Sequence, residues 1–143
     1  RPPRSTLFPY TTLFRSYRNN IDGLCGNDDC GQMSAWYIFT AMGFYPVCPA
    51  SDQYVIGSPL FRKATVKLEN GKKIVIEAPD NAPENRYIGT MKLDGKRYDR
   101  NFIRWSDLVK GAKIDFVMQP DPAYKRGVGP QDAPYSLSRG ECR

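Results

Sequence analysis

The chain changes character once along its length. Residues 17–28 are polar and rich in glycine and asparagine (Asn19, Asn20, Asp22, Gly23, Gly26, Asn27), which predicts a loop. A helix is predicted to start near Asp28 or Asp29, because Asp29 and Gln32 have the spacing of a capping box with Asp in the cap role. Met33, Trp36, Tyr37, Thr40, Ala41 and Phe44 mark one face at helical spacing, and Ile38, Phe39 and Met42 make the other faces apolar too. A helix apolar nearly all round belongs inside a larger body. Gly43 and Pro46 supply its stop.

From residue 50 onward the period shortens to that of strands. Segments 54–56, 64–68, 73–77, 87–93, 102–105 and 114–118 are short, β-branched or aromatic, and partly alternating. Glu69-Asn70-Gly71-Lys72 and Leu93-Asp94-Gly95-Lys96 are predicted hairpin turns, since Asn-Gly and Asp-Gly tolerate positive φ at both central positions. A turn of helix is expected at Ser106–Val109, before Gly111. Residues 120–143, rich in Pro, Gly and charge, predict a tail or a strap along the surface. The fold class expected is α+β, mainly β: one buried helix followed by an antiparallel β-sandwich.

One buried helix with about six strands is an awkward stand-alone domain. The helix asks for partners on every side, and this sequence does not supply them all, which points to a segment of a longer body. Thr6 to Ser16 reads TLFPYTTLFRS, a string similar to the conceptual translation of a sequencing-library adapter. Residues 1–16 are therefore expected to be non-native and are set aside from fold reasoning. The native protein is expected to continue upstream of Tyr17, so the lack of a visible signal peptide carries no weight on localisation.

Charge changes the picture little. The formal net charge is +6, and setting aside Arg1, Arg4 and Arg15 leaves 18 basic against 15 acidic residues, a net of +3. The basic residues are scattered singly among acids, which describes a solvated surface and not a nucleic-acid face. No apolar run approaches the about 18 residues of a membrane span.

The chain has no His and four cysteines, Cys25, Cys30, Cys48 and Cys142, none in a C-x-x-C pair. That pattern argues against a zinc site of ordinary ligands, and the absence of His removes the Ser-His and Cys-His nucleophile systems. Acid–base chemistry falls to carboxylates, Tyr, Lys or Cys. Cys25 and Cys30 flank a Gly-Asn-Asp-Asp turn, where a bridge in an oxidising compartment and buried free thiols are both open readings.

The segment Gly23–Pro49, GLCGNDDCGQMSAWYIFTAMGFYPVCP, concentrates the chemistry. Asn27, Asp28 and Asp29 stand at the predicted helix start, where unpaired N–H groups and the macrodipole favour negative charge. Plain capping accounts for such a group. Against that stands the setting beside an apolar interior, where unpaired charge is costly without a purpose. Two carboxylates there suit a general base or ligands for Ca²⁺, which prefers oxygen donors. Trp36 lies on the helical apolar stripe, which reads as a place in the core. Gln32 is positioned to hydrogen-bond near the site or back to the cap.

GNDDCGQMSAW, followed by GFYPVCP and SDQYVIGSPLF, resembles the signature run near the C-terminus of glycoside hydrolase family 92. The likeness is dense over Gly26–Phe61 and continues through LENGK, APENRYI and LDGK to about Gln119. It implies a calcium-dependent exo-α-mannosidase that inverts the anomeric carbon, acting on terminal α-mannosides of N-glycans or mannans, in the periplasm or secreted. It also implies an (α/α)6 barrel whose last helix, with its active-site loop, is residues 17–46, a C-terminal β-sandwich at 47–119 and an extended tail at 120–143. Asp29 is then the first candidate for the base that activates water and Asp28 the second, with both as calcium ligands. Asn27, Gln32 and Trp36 are the candidate sugar contacts. The Asn27 position is an acid in some members, so the amide departs from that pattern.

Inversion needs a second carboxylic acid about 6.5–9.5 Å from the base. The resemblance places it on a Glu in the upstream barrel, leaving Glu69, Glu77 and Glu84 as poor matches and this segment expected to be inactive alone. The competing reading is a non-catalytic carbohydrate-binding or structural β-sandwich.

Overall fold

A computed structural model describes residues 17–21, 23–24, 27–48, 50–122 and 126–136. The adapter-like residues 1–16, and with them Cys25 and Cys142, lie outside the described residues. The chain divides into two compact units between Ile38 and Phe39, within one helix.

That helix, α1, is Gln32–Met42, and it is preceded by a 3-10 turn at Asp29–Gly31. The two are separate because Cys30 (φ 55°, ψ 24°) and Gly31 (φ 79°) are left-handed, a conformation that a right-handed helix cannot carry through. The helix therefore restarts at Gln32, a few residues later than its sequence signal. It stops where expected: Gly43 is left-handed (φ 94°) and its N–H donates to the Thr40 carbonyl at 3.0 Å. The helix is apolar nearly all round, as expected, and this chain covers only part of it. Ala41 is the one buried residue of α1, and Ile38 is 55% exposed. The cause is that the apolar circumference exceeds what the described residues cover.

In the second unit the strands are β1 (Phe44–Tyr45), β2 (Gln53–Ile56), β3 (Lys63–Lys67), β4 (Lys73–Glu77), β5 (Tyr87–Leu93), β6 (Lys96–Arg97), β7 (Phe102–Arg104) and β8 (Ala112–Gln119), with a short helix α2 (Trp105–Leu108) after β7. They form an antiparallel sheet of order β1-β2-β7 and a second sheet of order β3-β4-β8-β5-β6. The α+β class holds, with one change to the antiparallel sandwich: β8 pairs parallel with β4, Ile74 against Ala112 through Glu77 against Asp115, and antiparallel with β5. The strand enters between the β3–β4 and β5–β6 hairpins, a placement set by the tertiary fold and not by any local signal.

Strict alternation along β8 buries Ala112, Ile114, Phe116 and Met118. They join Ile74, Ile76, Met91 and Leu108, and from the smaller sheet Phe44 and Ile103, in one core. Phe39 and Met42 pack against it, and the rings of Phe39, Phe44 and Tyr54 meet at centroid distances of 5.8–6.0 Å. The opposite face of the larger sheet carries a charge ladder: Lys63–Glu77 at 2.8 Å, Lys113–Glu77 at 3.0 Å and Lys113–Asp115 at 2.9 Å.

The Asp94-Gly95 turn has positive φ at both residues, 50° and 77°, as expected. At Asn70-Gly71 only Gly71 is left-handed (φ 78°). There β3 and β4 end at Lys67 and Lys73, so the connection is longer than two residues, and Asn70 instead accepts from the Lys72 N–H at 3.0 Å. Of the predicted tail, residues 126–136 lie as a strap. Asn101 N–H donates to the Asp132 carbonyl, its side-chain amide donates to the Gly127 carbonyl, and Tyr135 N–H donates to Gln53 Oε1, each at 2.8 Å.

Candidate functional site

Asn27, Asp28, Asp29, Gln32 and Trp36 lie along the loop before α1 and the helix's first two turns. Asp28 reaches over the 3-10 turn to the α-helix itself. Its Oδ1 accepts the N–H groups of Met33 (2.8 Å) and Ser34 (3.0 Å), and its Oδ2 accepts the Ser34 hydroxyl at 2.7 Å. Two of the helix's orphan donors are thus met by one carboxylate. The Ser34 hydroxyl first, then the Ser34 N–H, and last the Met33 N–H hold Asp28 below the usual carboxylate range, against an opposing effect of desolvation that exceeds the Met33 contribution. The cap expected at Asp29 has moved to Asp28, because the left-handed pair at Cys30 and Gly31 puts an extra turn between them.

Asp29 is left in the turn. It is exposed, and among the described residues its carboxylate accepts no hydrogen bond. Its carbonyl takes the Gln32 N–H, and the Gly31 N–H donates to the Asp28 carbonyl at 3.0 Å, so the turn is closed by backbone alone. A left-handed non-glycine residue such as Cys30 costs of order 1–3 kcal/mol and persists where its surroundings over-determine it. Here it separates two adjacent carboxylates into different environments. Asn27 and Gln32 are exposed, and Trp36 is half-buried. Part of the Trp36 surface is taken by the Tyr17 ring, stacked at 20° with centroids 5.8 Å apart.

Two residues that hold this site were not singled out. Ser34 is a helix-interior serine whose distance from Asp28 exceeds ordinary capping spacing. Tyr17 lies sixteen positions before its partner Met33. Cys30, exposed, and Cys48, half-buried, are free thiols. Among the described residues no three of His, Cys, Asp and Glu gather as a metal site. Asn27, Asp28 and Asp29 are fewer oxygen donors than the about six to eight that Ca²⁺ takes. Of the remaining acids, Glu77 is held below its usual range by hydrogen bonds and charge from Lys63 and Lys113, the reverse of what a general acid needs. Glu69 and Glu84 are exposed.

The profile of the glycosyl hydrolase family 92 catalytic domain matches residues 1–120, a span that takes in the segment set aside as non-native. The chain belongs to glycoside hydrolase family 92. The family-92 α-mannosidase BT3965 of Bacteroides thetaiotaomicron is 46% identical over 89% of this chain, with a TM-score of 0.82, and 0.83 for its complex with mannoimidazole. The inverting mannosidase BT2199 of the same organism is 44% identical over 90% of the chain, with a TM-score of 0.80. An uncharacterised secreted glycosidase of Arthroderma benhamiae is 30% identical across 98% of the chain. The family-92 segment spans only 17% of each bacterial chain and 18% of the fungal relative. No helix of the described residues is long and apolar enough to cross a membrane.

Proposed function

We propose that this family-92 chain is the C-terminal part of the catalytic machinery of an inverting, calcium-dependent exo-α-mannosidase acting on terminal α-mannosides of N-glycan or mannan type. The observation that carries the reading is the division of labour at the helix start. Asp28 is spent on the helix, and Asp29 beside it is exposed and unengaged. The Bacteroides relatives are mannosidases, which supports the substrate class.

In the single displacement, Asp29 takes a proton from a water molecule as the water oxygen bonds to the anomeric carbon. The bond from that carbon to the leaving oxygen breaks on the opposite face, where a carboxylic acid supplies a proton. That acid belongs to the part of the domain beyond this chain, and the 143-residue chain alone is inactive. Asn27, Gln32 and Trp36 contribute contacts to the sugar. Asp28 and Asp29 would hold calcium through carboxylate oxygens, with its remaining ligands supplied by the rest of the domain. Bound there, the ion would orient substrate oxygens and balance the local negative charge. The enzyme works in the periplasm or after secretion, in keeping with the description of the fungal relative as secreted.

The test is an aryl α-mannoside assay with calcium. The intact enzyme turns over and releases β-mannose first, and Asp29→Asn lowers kcat by about 10²–10⁴-fold. Turnover by the 143-residue chain alone would overturn the segment reading. An intact enzyme indifferent to Asp29→Asn would favour a non-catalytic carbohydrate-binding role for this region.

A further inference from the structure

Tyr17 and Asp28 grip the same residue from opposite ends of one loop. The Tyr17 hydroxyl donates to the Met33 carbonyl at 3.1 Å, while the Met33 N–H donates to Asp28 Oδ1 at 2.8 Å. The Tyr17 ring stacks on Trp36 and lies 4.9 Å, centroid to centroid, from Tyr37. Between these anchors the chain makes one tight turn, Arg18 N–H to the Gly23 carbonyl at 2.8 Å and Gly23 N–H to the Asn20 carbonyl at 3.1 Å. Only glycine fits at position 23, since a Cβ there would collide with the Arg18 carbonyl. Otherwise Arg18, Asn19, Asn20, Ile21 and Leu24 face solvent. Among the described residues the loop buries so little apolar surface that its own packing does not hold it. Its two ends hold it.

We propose that Tyr17 is a positioning residue for Asp29. By fastening the loop's entry to the first turn of α1, it fixes where the Asp28–Gly31 turn presents the Asp29 carboxylate. The proposal rests on Asp29 being the base. The rings and the hydroxyl are separable: the rings bury surface, whereas the hydroxyl sets the register of the loop entry against Met33. Without the hydroxyl, the entry slides on the aromatic stack and the carboxylate samples more positions. A misplacement of about 1 Å at a reacting group costs up to roughly 10²-fold in rate.

The experiment compares Tyr17→Phe with wild type in the intact enzyme on an aryl α-mannoside, and follows amide exchange in the same enzyme. Tyr17→Phe keeps the stack, so the melting temperature should hold. We expect kcat to fall about five- to twentyfold with KM within about twofold, on the scale of such misplacement. The Met33 and Ser34 amides should exchange faster. Tyr17→Leu, which loses the stack as well, should lower kcat further. Wild-type kcat in Tyr17→Phe, a rise in KM at unchanged kcat, or unchanged exchange at Met33 and Ser34 would each overturn the proposal. A wild-type enzyme without mannosidase activity would instead sink the reading of Asp29 as base, and that outcome is distinct from all three.

Discussion

The Ser34 hydroxyl donates to Asp28 Oδ2 at 2.7 Å, and the same carboxylate takes the Ser34 N–H on its other oxygen. One helix residue therefore closes a ring on one of two adjacent acids and leaves the other alone. Substitution should separate the two. Asp28→Ala removes the cap and lowers the melting temperature of the chain. Asp29→Ala leaves the melt where it was and removes turnover from the intact enzyme, by about 10²–10⁴-fold in kcat. Thermal melts read beside kcat decide it. Equal losses of stability in both variants would contradict the division.

The Asp28 ring also gives stability an acid dependence with a definite sign. Ser34 and Met33 hold the folded-state value below the unfolded one. Such a group contributes stability that is fully present above the unfolded value, about 3.9, and is lost as pH falls through the folded value. Ser34→Ala removes the largest cause, leaves the two backbone donors, and brings the two values closer. Urea midpoints of wild type and Ser34→Ala should differ above about pH 4 and converge in stronger acid. A constant gap down to about pH 2 would show that Ser34 acts by packing alone.

These two predictions mark how far the sequence could be read. Asn27, Asp28, Asp29, Gln32 and Trp36 are local to one loop and one helix turn, so spacing alone gathered them. The move of the cap from Asp29 to Asp28 was not legible, because it depends on Cys30 and Gly31 both turning left-handed, and only Gly31 advertises that. Ser34 and Tyr17 escaped for related reasons: one falls beyond ordinary capping distance, the other reaches the helix from outside any periodic pattern. In the sandwich, Asp94-Gly95 and the alternation of β4 and β8 were read from neighbours two residues apart. The parallel β4–β8 pair joins segments nearly forty positions apart and has no local signature, and the two residues of β1 are too short to show a period.

Calcium is the part of the proposed mechanism that this segment least accounts for, and that makes a sharp expectation. With most ligands elsewhere in the domain, the 143-residue chain should show no calcium-dependent rise in melting temperature. Under the proposed function the intact enzyme should lose turnover on chelation and regain it when calcium is restored. A calcium-stabilised 143-residue chain would mean that Asn27, Asp28 and Asp29 bind the ion without help.

The strap at 126–136 turns on one arginine. The Arg126 guanidinium donates to the Arg100 carbonyl at 2.6 Å and to Asn101 Oδ1 at 3.2 Å, and approaches the Met91 sulfur at 3.6 Å. Its Nε is buried without a partner among the described residues, and burial pushes its ionisation below the usual guanidinium range. The next residue, Gly127, is left-handed (φ 64°) and tolerates no Cβ, which would collide with the Asn101 side chain. The guanidinium thus fills the space between strap and sheet at some electrostatic cost, offset by its charged hydrogen bonds. Arg126→Ala removes those bonds and leaves the Arg100 carbonyl unmatched. Hydrogen bonds to charged groups contribute about 1.5–3 kcal/mol, and the orphaned Nε offsets part of that, so a loss of about 1–2 kcal/mol is expected in urea denaturation. Limited proteolysis should then cut first within residues 121–136 while the strands stay protected. A variant as stable and as resistant as wild type would show that Asn101 and Gln53 hold the strap without Arg126.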